Sequence, residues 1–409
     1  MNTAWDAVVV GARVAGASTA LLLARAGLRV LCVDRARFGS DTLSTHALMR
    51  AGTVQLQRWG LLADIVAAGT PPVRRTVFHY GEEDVSVSIR PAAGVDALYA
   101  PRRTLIDAVI GEAAGAAGAT VRFGTAVTGL LRGPDGRVTG ITTRGRDGSV
   151  RTERAGLVVG ADGRHSLVAA VVGAPEELRG RAGSAFVYGY WADLPADGYE
   201  WFYRPGMSAG AIPTNDGLTC VFVGAPPRRL ARLLSAGGTE HAVDALAGSL
   251  GPRLATAERV GGLRHVRALP AHLRRSWGPG WALVGDAGYW KDPLSTHGIT
   301  DALRDAELLA RAVTAAPEPG SDQLDALAEY QAVRDGLARP LLEVTERIAG
   351  YRWDLAEIRR LLMTLSSTMT DELELLAEFP PPAARADGPG DVQRTLRAGP
   401  HRLRLALPR

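Results

Sequence analysis

The chain has 409 residues, 46% of them hydrophobic and 22% charged, with a formal charge of +4. That length suits two or three packed units, and that balance excludes a largely disordered, fibrous or membrane-embedded chain. The cationic excess sits at the end, where six arginines between Pro380 and Arg409 face only Asp387 and Asp391, so the body is near neutral and gives no sign of a nucleic-acid surface.

Lys291 is the only lysine, which makes arginine supply nearly all the cations and is most simply a coding bias. Cys32 and Cys220 fall in apolar runs far apart, as buried reduced thiols do, and no cluster with metal-ligand spacing is visible. Met1 to Asp6 leads directly into a strand-like run without the basic and apolar regions of a signal peptide, and no apolar stretch is long enough to span a membrane. A cytoplasmic protein without stable membrane insertion is expected.

Ala7–Val10 is a short β-branched run, followed by Gly11-Ala12-Arg13-Val14-Ala15-Gly16, a helical stretch from Ala17 to Ala26, and Gly27 as its stop. Arg29–Val33 reads as a second buried strand ending in Asp34, 23 residues after Gly11. Small residues in such a turn let backbone approach a pyrophosphate, the helix N-terminus favours its charge, and the acid accepts hydrogen bonds from a ribose. Arg13 stands at the usual middle glycine, where the backbone path stays open and a cation is added.

Leu105–Ala117 reads as a helix, Thr120–Phe123 as a strand, and Gly133-Pro134-Asp135-Gly136 as a hairpin turn. Leu157–Gly163 is a buried strand running into the turn Asp162-Gly163. From 183 to 224 short aromatic and β-branched runs alternate with Gly and Pro, as in an antiparallel sheet. Trp281–Gly288 is a third strand running into an acidic turn, Gly285-Asp286, and Ile299–Val313 is an amphipathic helix. Leu324–Gly350 and Trp353–Phe379 read as helices, the second stopped by Pro380-Pro381-Pro382.

These motifs, in this order, resemble the FAD-dependent monooxygenases of the para-hydroxybenzoate hydroxylase type, whose relatives include geranylgeranyl reductases and flavin halogenases. Ser40–His46 and Lys291–Asp301 tighten the resemblance, which spans roughly residues 5 to 380. It implies an α/β fold: a Rossmann-like FAD-binding domain from 1–74, 101–178 and 274–345, an antiparallel-sheet substrate domain from 75–100 and 179–273, C-terminal helices over 346–380, and a basic Pro/Gly/Arg-rich tail over 381–409.

The resemblance also implies a cofactor site. Gly11, Arg13, Val14, Ala15, Gly16, Asp34 and Arg35 belong to the dinucleotide fingerprint, and Thr42, Ser44 and Thr45 to the loop after the second strand. Arg103 starts a helix that reaches FAD, and Asp162 and Gly163 form the Asp-Gly segment. Gly285 and Asp286 meet the ribityl chain, while Pro293, Thr296, Gly298 and Ile299 line the flavin ring. The helix that begins near Gly298 is expected to stabilise charge developing on that ring. His46 and His297 fall on segments the family brings to the ring and are the candidate catalytic proton carriers. Tyr188, Tyr190, Trp201 and Tyr203 are candidate substrate contacts, with packing in the sheet as the alternative for each.

Two positions depart from the family. Its Gly-Gln-Gly is Thr296-His297-Gly298, and its Arg after the Asp-Gly segment is replaced by Ala169-Ala170, which leaves Asp162 without its usual partner. The activity implied is that of a monooxygenase. NADPH or NADH visits transiently to reduce FAD, O2 forms a C4a-hydroperoxide, and one oxygen atom passes to a small or medium hydrophobic, aromatic or polyketide-like substrate. Secondary metabolism or catabolism is the expected setting, and a homodimer is common among such relatives. The rivals are a reductase of the geranylgeranyl kind and a non-catalytic FAD-binding stabiliser. The Trp-x-Trp-x-Ile-Pro motif of the halogenases is absent, and Lys291 lies in the flavin loop instead of their N-terminal region.

Overall fold

The computed structural model describes residues 5–380, so the basic tail expected over 381–409 lies outside the described residues. The opening strand, Trp5–Val10, pairs in parallel with Val30–Asp34 on one side and Val150–Gly160 on the other. Thr120–Phe123 and Trp281–Leu283 extend this sheet, again in parallel, at its two flanks. Parallel strands are covered on both faces, which is why these segments read as unbroken apolar runs instead of alternating ones. The helix Val14–Arg25 is buried from Gly16 to Ala24 and covers one face together with the helices Arg103–Ala116 and Gly298–Ala315. The hairpin Thr125–Arg132 and Val138–Gly145 lies beside the other face and turns at the expected Gly-Pro-Asp-Gly.

A second sheet of seven strands runs in the order 258–266, 185–192, 218–225, 207–213, 199–204, 75–80 and 83–88. All pairings are antiparallel except that of Arg75–Tyr80 with Tyr199–Arg204. Met207–Pro213, which sequence patterning did not mark, completes the meander. Because strand side chains alternate, the sheet divides its aromatics between two faces. Val187, Trp191, Phe202 and Val223 pack with the helix Pro227–Leu246, whereas Phe186, Tyr188, Trp201, Tyr203 and Phe222 face the C-terminal helices and the flavin loop.

Three short strands, Glu176–Arg179, His272–Arg274 and Tyr289–Trp290, join where the chain passes between the two sheets. The long helix Ser321–Ala349 starts three residues earlier than its sequence pattern, and Leu355–Glu378 follows it, capped by the Asp354 carboxylate on the Glu357 N–H. Cys32 and Cys220 are free and buried. No helix among the described residues is long and apolar enough to cross a membrane.

Candidate flavin site

A cavity of about 530 Å3 runs from the turn after the opening strand to the aromatic face of the seven-stranded sheet. At its first end the backbone leaves no room for a side chain at Gly11 or Gly16. Gly11 has φ +104°, and a Cβ there would lie 2.3 Å from the Ala161 carbonyl oxygen; one on Gly16 would lie 1.8 Å from the Gly11 carbonyl oxygen. Arg13, Val14 and Ala15 therefore line the cavity at the start of the helix, where free N–H groups and the helix dipole favour an anion.

Arg13 keeps an ordinary φ of −85°, so it does not disturb the turn. Its cation is already engaged, however, at 2.8 Å from Asp107 and hydrogen-bonded to Ser40. Asp107 also accepts from the Val14 N–H and from Arg103 four residues earlier. This organising acid went unmarked in the sequence, where its i,i+4 spacing from Arg103 was the available signal. Asp34, expected to accept from a ribose, accepts from the Ala12 and Ala36 N–H groups at 2.8 and 2.7 Å, which fixes the turn, and is not on the cavity wall. Arg35 is exposed and is not on the cavity wall.

Thr42, Ser44, Thr45 and Arg103 all reach the wall. Gly163 does too, but Asp162, expected to meet the cofactor, is off the wall: its Oδ2 accepts from the Leu167 and Val168 N–H groups at the start of the helix Leu167–Val172, whose N-cap is Ser166. Backbone donors satisfy that one oxygen, and Oδ1 is buried without a hydrogen-bond partner. Arg164 and His165, which the sequence did not single out, line the cavity instead, with Arg164 stacked 4.6 Å from the Trp290 ring centre.

Gly285 adopts φ +57° and packs against Ala15, turning Asp286 into the cavity. Asp286 is open to the cavity but enclosed by protein, and burial pushes its carboxyl up to about 6 despite the nearby Lys291 cation. Asp292 accepts from the Ser184 N–H at 2.6 Å and the Leu294 N–H at 3.0 Å, tying the flavin loop to the second sheet. Thr296 takes the left-handed conformation, φ +49°, and the helix Gly298–Ala315 then begins with its N-terminus at the cavity, lined by Pro293, Thr296, Gly298 and Ile299.

Neither histidine expected to carry protons reaches the cavity. His46 is fully buried with φ +67°, and its Nε2 lies 2.6 Å from the Tyr190 hydroxyl. Burial, with Arg102 and Arg103, pushes its pKa down to about 3, so it stays neutral. His297 is enclosed behind the flavin loop, with Nδ1 3.1 Å from Asp301 and Nε2 3.1 Å from Glu372. These three side chains have the donor types of a metal centre, but Lys291 and Arg304 already pair with Asp301, so the cluster is an ion network.

Of the four aromatic candidates, Tyr188 lines the cavity, joined by the unmarked Phe186 and Phe222. Tyr190 is turned to His46 and covered by the Arg102 guanidinium 4.2 Å from its ring centre. Trp201 and Tyr203 are core residues, packed against Phe222 and Trp353 respectively. Alternation explains the split only in part, since Arg102 and His46 cover Tyr190 and Trp353 packs on Tyr203.

The side-chain-free turn, the two helix N-termini and the flanking cations fit FAD. Residues 4–345 match the FAD binding domain family. Over 356 residues the chain is 27% identical to digeranylgeranylglycerophospholipid reductase of Methanocella arvoryzae, covering 83% of this chain and 86% of that protein. It is 28% identical to ubiquinone hydroxylase UbiL of Rhodospirillum rubrum, covering 84% and 80%. Its fold is similar to the myxobacterial chondrochloren halogenase CndH, with a TM-score of 0.71 at 24% identity over 81% of this chain and 79% of that one. The chain belongs to the FAD binding domain family.

Proposed function

We propose that this protein is an FAD-dependent monooxygenase that takes reducing equivalents from NADH or NADPH and places one oxygen atom of O2 into a small or medium hydrophobic substrate, aromatic or polyketide-like. The observation that carries this reading is the continuity of one cavity, from the bare-backbone turn at Gly11 and Gly16 to an apolar wall of Phe186, Tyr188, Phe222, Val266 and Leu269. The similarity to a ubiquinone hydroxylase supports it.

Arg13, Val14, Ala15, Arg103 and Asp286 would hold the cofactor at one end, and Pro293, Thr296, Gly298 and Ile299 at the other. FAD, when bound, supplies hydride acceptance and oxygen activation. The chain supplies the environment. The N-terminus of Gly298–Ala315 favours negative charge by about 0.3–1 kcal/mol, and more where water is excluded. The Tyr188 hydroxyl, pushed up to about 12 by burial, stays protonated and available to donate a hydrogen bond. The aromatic wall orients an uncharged substrate and keeps water out.

The second reading is a flavin-dependent reductase of an isoprenoid alkene, favoured by the similarity to the Methanocella reductase across most of both chains. Isotope incorporation separates the two. Under 18O2, an oxygenase gives NAD(P)H consumption matched to O2 uptake and product labelled with 18O. Product formed anaerobically and unlabelled establishes the reductase. Bound FAD that NAD(P)H never reduces, with substrate present, establishes a non-catalytic flavoprotein.

A further inference from the structure

Behind the flavin loop lies a chain of buried ionisable groups that begins on the cavity wall and ends on a helix the family match does not include. Lys291 and Asp301 line the cavity and pair with each other. Asp301 also meets Arg304 at 2.9 Å and His297 Nδ1 at 3.1 Å. On the far side of the His297 ring is Glu372, carried by the helix Leu355–Glu378, beyond the matched residues 4–345. His297 and Arg304 are 0% exposed and Glu372 is 1% exposed.

The last contact is incomplete. His297 Nε2 lies 3.1 Å from one Glu372 oxygen without a hydrogen bond to it, and the second Glu372 oxygen, 3.8 Å from Arg304, is likewise a buried polar atom without a hydrogen-bond partner. Lone pairs at that distance repel unless a hydrogen lies between them, and leaving such atoms unpaired is costly. One added proton, held between the carboxylate oxygen and the imidazole nitrogen, turns this repulsion into a hydrogen bond. The other charged and titratable groups facing the pair are Arg304, Asp301, Lys291 and Tyr289, with Asp305 beyond Arg304. Burial pushes the Glu372 carboxyl up, against the pull of His297 and Arg304. Asp301, despite the larger cost of its own burial, is held below the usual carboxylate range chiefly by Lys291 and Arg304, so it stays charged.

We propose that Glu372 and His297 form a buried proton acceptor, linked through Asp301 and Lys291 to the cavity wall, that takes up one proton when the flavin site gains negative charge. The inference rests on FAD occupying the cavity. Reduction would place two electrons and one proton on bound FAD, the proton coming with the hydride of NAD(P)H or from solvent when dithionite is the donor; separately, a proton from solvent binds the Glu372 carboxylate and lies between it and His297 Nε2. No bond to carbon forms or breaks in this second event, and nothing is oxidised by it. Glu372 is a positioning residue, remote from the reacting atoms, and its effect is electrostatic.

The test is proton uptake by the FAD-loaded protein during anaerobic reduction with dithionite, followed with an indicator dye in weakly buffered solution over a series of pH values. The measured change is corrected for the protons that dithionite oxidation releases and is compared with the uptake of free FAD. The wild-type protein is expected to take up more protons per flavin than free FAD does over part of the series. Glu372→Gln, which keeps the shape and loses the acceptor, is expected to match free FAD and to lose the corresponding inflection in midpoint potential against pH. Uptake in the wild type equal to that of free FAD at every pH overturns the proposal, whether or not the variant folds, and so does excess uptake that survives in Glu372→Gln. A wild-type protein that binds no FAD overturns the functional reading and this proposal with it, an outcome read from flavin content before any reduction.

Discussion

The α-carbon of Gly16 sits so close to Gly11 that a Cβ would fall 1.8 Å from the Gly11 carbonyl oxygen, a contact with backbone that no rotamer change relieves. Gly16→Ala is therefore expected to open the turn that the cofactor phosphates need. Overpacking of this kind costs about 1–3 kcal/mol. If the strain falls mainly on the bound state, FAD affinity drops about 10–100-fold. Titration of apoprotein with FAD, read by flavin fluorescence, checks this; unchanged affinity would remove the turn from the cofactor site.

Asp292 gives the flavin loop a pH response of defined sign. Its carboxyl is pushed up to about 6 in the folded protein, chiefly by burial and against the N–H donors of Ser184 and Leu294. The folded state therefore holds this proton more tightly than the unfolded state. The resulting stability is present at low pH and is lost as pH rises from the ordinary carboxylate value through about 6, at up to about 1.4 kcal/mol per pH unit. Urea midpoints measured across that window should fall, and Asp292→Asn should flatten the slope.

Phe222 and Trp201 touch each other, yet Phe222 lines the cavity and Trp201 does not. Phe222→Leu is expected to raise KM for the hydrophobic substrate several-fold, with a smaller effect on kcat. Trp201→Ala is expected to cost about 3–5 kcal/mol of stability as a large-to-small core change. Steady-state kinetics beside denaturant unfolding tells the two apart, and a KM effect confined to Trp201 would reverse the assignment.

Tyr190→Phe removes the hydroxyl 2.6 Å from His46 and leaves a buried imidazole nitrogen without its partner. The expected loss is about 1–3 kcal/mol of stability. The pH dependence of turnover should stay as it was, because neither ring is on the cavity wall. A displaced pH profile with unchanged stability would return His46 to the proton-transfer role that its sequence context implied.

The sequence by itself determined the elements whose signals are local. The Gly11–Asp34 unit is a strand, a tight turn, a helix and a strand because glycine, small residues and β-branched runs act within a few residues of one another. The Gly133–Gly136 hairpin and the helix stops at Gly27 and Pro380 follow from the same short-range sterics. The cofactor class was legible for that reason, since a phosphate turn is built from neighbouring residues.

Tertiary structure alone decided which side chains meet the cavity. Residues 186, 188 and 190 share one strand face, but Arg102 and His46 cover Tyr190 and leave Phe186 and Tyr188 open. Asp162 carried a cofactor motif and was taken by two backbone N–H groups a few residues on. Glu372 had no motif, being an acid on an amphipathic helix, and became part of the site's buried charge network only when that helix packed behind the flavin loop. Burial and pairing depend on contacts between residues distant in sequence, and no local pattern encodes them.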